Sequence, residues 1–164
     1  MKNTDPPDSN NKLPKLSPEL TSFIENMGMY FGSYGIPRIG GRILGLLLVA
    51  HEPLSAESIA SILKASRASI STNFRLLLTS GLAEKVTFPG DRTTYFAFPE
   101  TAWEKVMTVE IQGVTAMKKL AVQGLNALSP GDSARTRMEG LINWADFLIK
   151  LYQKGLAELR KGVS

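Results

Sequence analysis

Read for its apolar positions, the chain is a series of helical stretches interrupted once by a change of period. Residues 1–16 hold three Pro, three Asn and two Asp against only two Leu, and are expected to form a disordered tail. Ser17-Pro18-Glu19 then supplies an N-cap hydroxyl, a Pro suited to the first helical turn and an acid that complements the helix dipole. From there Leu20, Phe23, Met27, Tyr30 and Tyr34 recur at steps of three and four, with Ile24 and Phe31 beside them. That spacing predicts an amphipathic helix ending at Gly35. Pro37 opens a second helix reaching about His51, with Ile39, Ile43, Leu46, Leu47 and Ala50 on one face. Leu44, Leu48 and Val49 make it apolar nearly all round, so it is expected to lie buried between neighbours. Its Gly40, Gly41 and Gly45 read as close helix packing, because no Gly-Lys-Ser/Thr follows them as in a phosphate loop.

Pro53-Leu54 breaks the second helix, and Ser55 caps a short third one with Ile59, Ile62 and Leu63 inside. A tight turn at Ala65-Ser66 leads into a fourth helix from about Arg67 to Ser80, stopped by Gly81. The period then falls from 3.6 to about two. Leu82–Phe88 and Arg92–Phe98 are rich in Val, Thr, Phe and Tyr and flank Pro89-Gly90-Asp91, a three-residue hairpin turn. Two long helices follow, about Thr101–Leu128 and Ser133–Lys161, each roughly 40 Å long. A small domain does not need helices of that length, and they suit packing against each other and against a second copy of the chain. The fold class is therefore mainly α: a winged helix-turn-helix with a small β-hairpin wing, plus long N- and C-terminal helices forming a helical dimerisation region. The chain divides into a tail (1–16), an N-terminal helix (17–36), the winged domain (37–100) and a region of two long helices (101–164) for dimerisation, which is also a candidate effector region.

Composition narrows the chemistry. The 164 residues include 43% apolar and 21% charged positions, enough for a packed core. The absence of Cys removes disulfides, thiol nucleophiles and thiolate metal sites, and a single His, His51 beside Glu52, leaves no metal set or hydrolytic triad. No cofactor, no metal and no enzymatic activity are expected. The polar N-terminus lacks the apolar stretch of a signal peptide, and the longest apolar run, Ile43 to Ala50, is too short to span a bilayer. A cytoplasmic location without membrane contact is the expectation. The net charge of +4 permits an acidic partner without demanding one, and no segment forms a basic arm.

Placement of a few cations must then matter more than bulk charge. With Ile70 set at zero and 100° per residue, Ala68, Ser69, Thr72, Arg75 and Thr79 lie between about 140° and 260°, opposite the apolar face. No carboxylate occurs from Ala65 to Leu82. A helix entering the major groove needs slim side chains, donors for base edges and no acids to repel phosphate. A merely solvated face normally mixes Glu with Lys and uses stronger helix formers than Ser, Thr and Asn. Arg92, following Gly90-Asp91, is placed to leave the wing for an adjacent minor groove, the bland alternative being a surface pair with Asp91. Lys85 and Thr93 are candidate phosphate contacts or plain surface residues. Arg38 and Arg42 oppose the dipole at the start of the second helix, which calls for either a phosphate or an acid of the first or last helix. Trp103, Trp144, Phe147 and Tyr152 could line an effector pocket, although their spacing suits core or dimer packing better.

The stretch Gly35-Ile36-Pro37-Arg38-Ile39-Gly40-Gly41-Arg42-Ile43-Leu44-Gly45-Leu46-Leu47, then Leu54-Ser55-Ala56-Glu57, Ser69-Ile70-Ser71 and Gly90-Asp91-Arg92, resembles the glycine-betaine-synthesis-repressor (GbsR) branch of MarR-type regulators. The resemblance spans about residues 17–100. It implies a homodimeric winged-helix transcription factor with dimerisation through the terminal helices. Recognition-helix residues would be Ser66, Arg67, Ala68, Ser69, Ser71, Thr72, Asn73 and Arg75, with Arg92 at the wing. Better-known members respond to small molecules. The expected function is a sequence-specific, ligand-responsive repressor acting on a pseudo-palindromic operator in double-stranded DNA. The alternative is a winged-helix adaptor that docks proteins, which would show apolar anchors on the outer face of the fourth helix, where only Leu76 qualifies.

Overall fold

A computed structural model describes residues 16–162, which separate into two compact units meeting between Ala102 and Trp103. In the first, α1 (Pro18–Ser33) starts where Ser17 Oγ accepts from the Leu20 backbone N–H at 3.2 Å. The hydrogen bond with Ser17, then one with the backbone N–H of Glu19 itself, holds the Glu19 carboxyl below its ordinary range. α2 (Arg38–Val49) follows Pro37, then β1 (Leu54–Ser55), α3 (Ala56–Leu63), α4 (Arg67–Thr79), β2 (Glu84–Val86) and β3 (Tyr95–Ala97). The expected tail falls on residues 1–15, outside the described residues, except for Leu16, which packs against the core.

The core gathers Ile43, Leu44 and Leu46 of α2, Ile59 and Leu63 of α3, Ile70, Phe74 and Leu77 of α4, and Phe96 of β3. Phe74 and Phe96 stack with ring centroids 3.7 Å apart, which ties the fourth helix directly to the sheet. The sheet is antiparallel in the order β1-β3-β2, with Leu54 opposite Phe96 and Val86 opposite Tyr95.

Three sequence expectations change here. The sheet has a third strand, because Leu54–Ser55 pairs with β3 through contacts that no local pattern announces. The wing strands are shorter than the runs 82–88 and 92–98. Leu82 and Ala83 turn their backbone N–H groups back onto the Leu77 carbonyl, at 2.9 and 3.1 Å, before β2 begins. The connection is consequently an eight-residue loop, 87–94, rather than a three-residue turn. Finally, α1 faces α2 with Ile24, Met27, Gly28 and Phe31, while Leu20, Phe23, Tyr30 and Tyr34 are exposed. The cause is a glycine contact: a Cβ on Gly41 would stand 2.5 Å from the Met27 carbonyl oxygen, and one on Gly28 would stand 2.7 Å from Arg42 Cγ. The side of α1 that can approach so closely is the side that is buried.

The second unit comprises α5 (Ala102–Ala127, whose first residue belongs to the first unit) and α6 (Ala134–Gly162), joined through Gly131 at φ +88°. Lys118 pairs with Asp146 at 2.6 Å and Arg160 with Glu104 at 2.9 Å, and Gly155 lies against Met107, so the two helices run antiparallel. Arg135 Nη1 donates to the Leu125 and Leu128 carbonyls and caps the end of α5. Only Val114, Ala121 and Ala145 are fully buried among the apolar residues described in this unit. No described helix is long and apolar enough to cross a membrane.

Candidate nucleic-acid interface

The turn between α3 and α4 is built from two caps. Lys64 takes the left-handed conformation at φ 49°, its N–H bonding back to α3, and the Ala65 N–H reaches the Ala60 carbonyl at 3.0 Å. Ser66 then caps α4, its Oγ accepting from the Ser69 N–H at 3.2 Å. Ile70, Phe74 and Leu77 anchor α4 in the core, and this fixes the opposite face outward. Arg67, Ala68, Ser71, Thr72, Arg75, Leu76 and Thr79 are exposed, and Ser69 is half-buried.

Not all of these side chains are equally available. Arg67 pairs with Glu57 of α3 in a solvent-exposed ion pair. Thr72 Oγ1 donates to the Ala68 carbonyl at 3.0 Å and Thr79 Oγ1 to the Arg75 carbonyl at 2.8 Å. The Arg75 guanidinium has no hydrogen-bond or ion-pair partner among the described residues.

Asn73, which the resemblance places among the recognition-helix residues, is not on the exposed face. It is 5% exposed, donates Nδ2 to the Ser69 carbonyl at 2.9 Å, and lies where a Cβ on Gly40 would meet its Oδ1 at 2.9 Å. At 300° on the wheel it sits beside the core face, where its amide packs toward Gly40 of α2 and is turned away from the exposed face, its Oδ1 buried without a hydrogen-bond partner among the described residues.

Arg38 and Arg42 share one acid. Arg38 Nη2 contacts Glu25 Oε2 and Arg42 Nη2 contacts Glu25 Oε1, both at 2.7 Å. Arg42 also donates to the Leu63 carbonyl at 3.0 Å, and its side chain is 22% exposed. Of the two readings, the acid partner on α1 is the one found. Arg42 is a clamp joining α1, α2 and the end of α3, whereas Arg38, at 61% exposed, keeps an open edge toward solvent.

In the wing, Asp91 Oδ1 accepts from the Thr93 backbone N–H at 2.7 Å and Oδ2 from the Tyr95 hydroxyl at 2.8 Å. The Thr93 bond first, then that of Tyr95, lowers the Asp91 carboxyl below its ordinary range, and donation to Asp91 raises the Tyr95 phenol. A lowered acid stabilises the fold above the ordinary carboxylate range and loses that effect as pH falls through the lowered value. A raised phenol contributes below its ordinary range and loses that as pH rises through the raised value. The wing anchor is therefore intact across neutral pH.

No ion pair joins Asp91 to Arg92, and Arg92 is exposed beside exposed Thr93. Lys85 is exposed on β2. The sequence reading missed Glu25 and Tyr95. The Asp-x-Thr spacing of an Asx turn was a usable signal for the wing; nothing local pointed to Glu25. Among the described residues no three His, Asp or Glu side chains come together as a metal site requires.

No protein-family profile matches the chain. It is 39% identical over 121 residues to the HTH-type transcriptional regulator MmpR5 of Mycobacterium tuberculosis (strain ATCC 25618 / H37Rv), covering 73% of each chain. A crystal structure of a transcriptional regulator superposes with a TM-score of 0.82 at 33% identity, covering 88% of this chain and 99% of that one.

Proposed function

This chain belongs to the MarR-type family of helix-turn-helix transcriptional regulators, and from that premise we propose how it acts. It is a DNA-binding regulator and not an enzyme. In our reading it is a ligand-responsive repressor, a homodimer on a pseudo-palindromic operator with half-sites about one helical turn apart. The Gly-Ile-Pro-Arg and Gly-Asp-Arg segments support placing it in the GbsR-like branch.

The observation that carries this reading is the outer face of α4: exposed from Arg67 to Thr79, free of carboxylates, and centred on an Arg75 without a partner among the described residues. Placed in the major groove, Arg75 meets base edges, with Ser66, Arg67, Ala68, Ser69, Ser71 and Thr72 around it. Arg92 enters the neighbouring minor groove, and Lys85, Thr93 and the open edge of Arg38 contact phosphates. The adaptor alternative receives little support, since Leu76 is the one large apolar side chain exposed on that face. The apolar surface left open on α5 and α6 supports a second copy as partner, and the same region is where an effector of unknown identity would act. The cytoplasm is the matching location.

Titration of duplex DNA, selected from genomic fragments, tests the assignment. Arg75→Ala should weaken binding by about 1–3 kcal/mol and relax sequence preference. Arg92→Ala should weaken specific and non-specific binding alike and flatten the salt dependence. If both variants titrate like wild type, the site is elsewhere.

A further inference from the structure

We infer that α4 reads its half-site through thymine 5-methyl groups contacted by Ala68 and Thr72, with Arg75 reading a single neighbouring guanine; the inference rests on α4 being the major-groove reader proposed above. On the helical wheel Ala68, Thr72, Arg75 and Thr79 fall within about 140° to 200° of Ile70, the centreline of the exposed face. Ser71 lies toward one edge at about 100°, and Ser69 is half-buried at about 260°. What the centreline offers depends on where its hydroxyl protons go. A threonine hydroxyl has one proton, and those of Thr72 and Thr79 are given to the Ala68 and Arg75 carbonyls. What each exposed threonine still has to offer is a methyl group and oxygen lone pairs. Ala68 adds a second methyl, and the Arg75 guanidinium is the centreline's donor.

In the major groove only thymine among the four bases presents a methyl group, and guanine presents the paired acceptors that fit a guanidinium fork. Four helical residues advance about 6 Å and three about 4.5 Å, against 3.4 Å per base step. Ala68, Thr72 and Arg75 therefore address a guanine and one or two thymines within about three base pairs. The rival use of Thr72, accepting from the amino group of adenine or cytosine through its lone pairs, is separable by experiment.

The full-length protein is first used to select a bound genomic duplex. Each thymine is then replaced by uracil in both half-sites, which removes the methyl and keeps every pairing group. At one position uracil should weaken wild-type binding about fourfold per half-site, the effect of leaving one methyl in water. Thr72→Ser, which keeps the hydroxyl, should lose that thymine-to-uracil ratio, and Thr72→Val, which keeps the methyl, should retain it. Uracil tolerated at every position of a sequence-selective duplex overturns the inference and leaves the regulator reading standing. Discrimination kept in Thr72→Ser and lost in Thr72→Val overturns it in favour of the hydroxyl. Failure to select any sequence sinks the regulator reading itself, and with it this inference. The wild-type uracil scan decides even where a variant does not fold.

Discussion

The two compact units use the same residue types to opposite ends. In the first, the glycines of the α1–α2 contact stand where any side chain would collide: Gly41 against the Met27 carbonyl, Gly45 against Met27 and Ile24, Gly28 against Arg42. In the second, Gly113 and Gly140 have nothing within 4 Å of where a Cβ would stand, and Gly155 faces only the flexible end of the Met107 side chain. Large apolar residues divide the same way. Ile43, Leu46, Ile59 and Ile70 are sealed completely, while Leu120 and Phe147 are 67% and 63% exposed. One region closes a core within a single chain; the other leaves its apolar surface open, as a surface destined for more polypeptide does. α1 belongs to both kinds, with Ile24 and Gly28 buried and Phe23, Met29, Tyr30 and Tyr34 open on its far side.

The largest effect expected from breaking this contrast is at Gly41. Gly41→Val pushes a branched side chain into backbone that cannot step aside, since the carbonyl oxygen it meets is held in α1. Overpacking of this kind should cost about 3 kcal/mol, read as a lowered urea midpoint with little change in slope. Gly32→Ala, in open space on α1, serves as the control, and equal stability of the two variants would show that the α1–α2 contact is not as tight as described.

The parts of the molecule that were legible in the sequence are those decided by neighbours along the chain. Ser17-Pro18 and Ser55 cap the helices they were expected to cap, because capping is a contact over three residues. The inward and outward faces of α4 follow from Ile70, Phe74 and Leu77 at helical spacing. What was not legible depends on distant partners. Leu54–Ser55 is a strand only because β3 lies beside it. Asn73 reads as a polar contact residue until Gly40 of α2 is placed against it. The two arginines of α2 leave phosphate and acid equally open until α1 brings Glu25 between them. In α1 the apolar stripe is wider than the contact: Ile24, Met27 and Phe31 pack beside Gly28 against α2, while Phe23 and Tyr30 on the stripe's flank are left exposed.

A change of intermediate size should come from the open surface. Phe147→Asp places a charge in the middle of the exposed apolar face of α6, where Trp144 and Leu151 lie one turn to either side. If a second copy covers this face, association should weaken by about 2 kcal/mol, near thirtyfold in dissociation constant. Sedimentation velocity at micromolar concentration would then move from twice 17.9 kDa toward 17.9 kDa. Unchanged mass and unchanged dissociation constant would remove this face from the proposed dimer.

The smallest effect has the opposite sign to the first. Gly113 interrupts α5 in a helical conformation that any residue adopts, exposed and with open space where a side chain would stand. Alanine there narrows the unfolded chain's freedom and strengthens the helix, so Gly113→Ala should raise stability by about 0.5–1 kcal/mol. The prediction is strict because the same substitution type at Gly41 or Gly28 should destabilise, although all three positions are helical glycines in one chain. A rise in the urea midpoint confirms that Gly113 faces water in the assembled protein as well as in the single chain. A fall, with the dissociation constant of the dimer rising in step, would place α5 at Gly113 against the second copy as closely as α1 lies against α2. The two units would then differ only in whether the neighbour that needs the glycine belongs to the same chain.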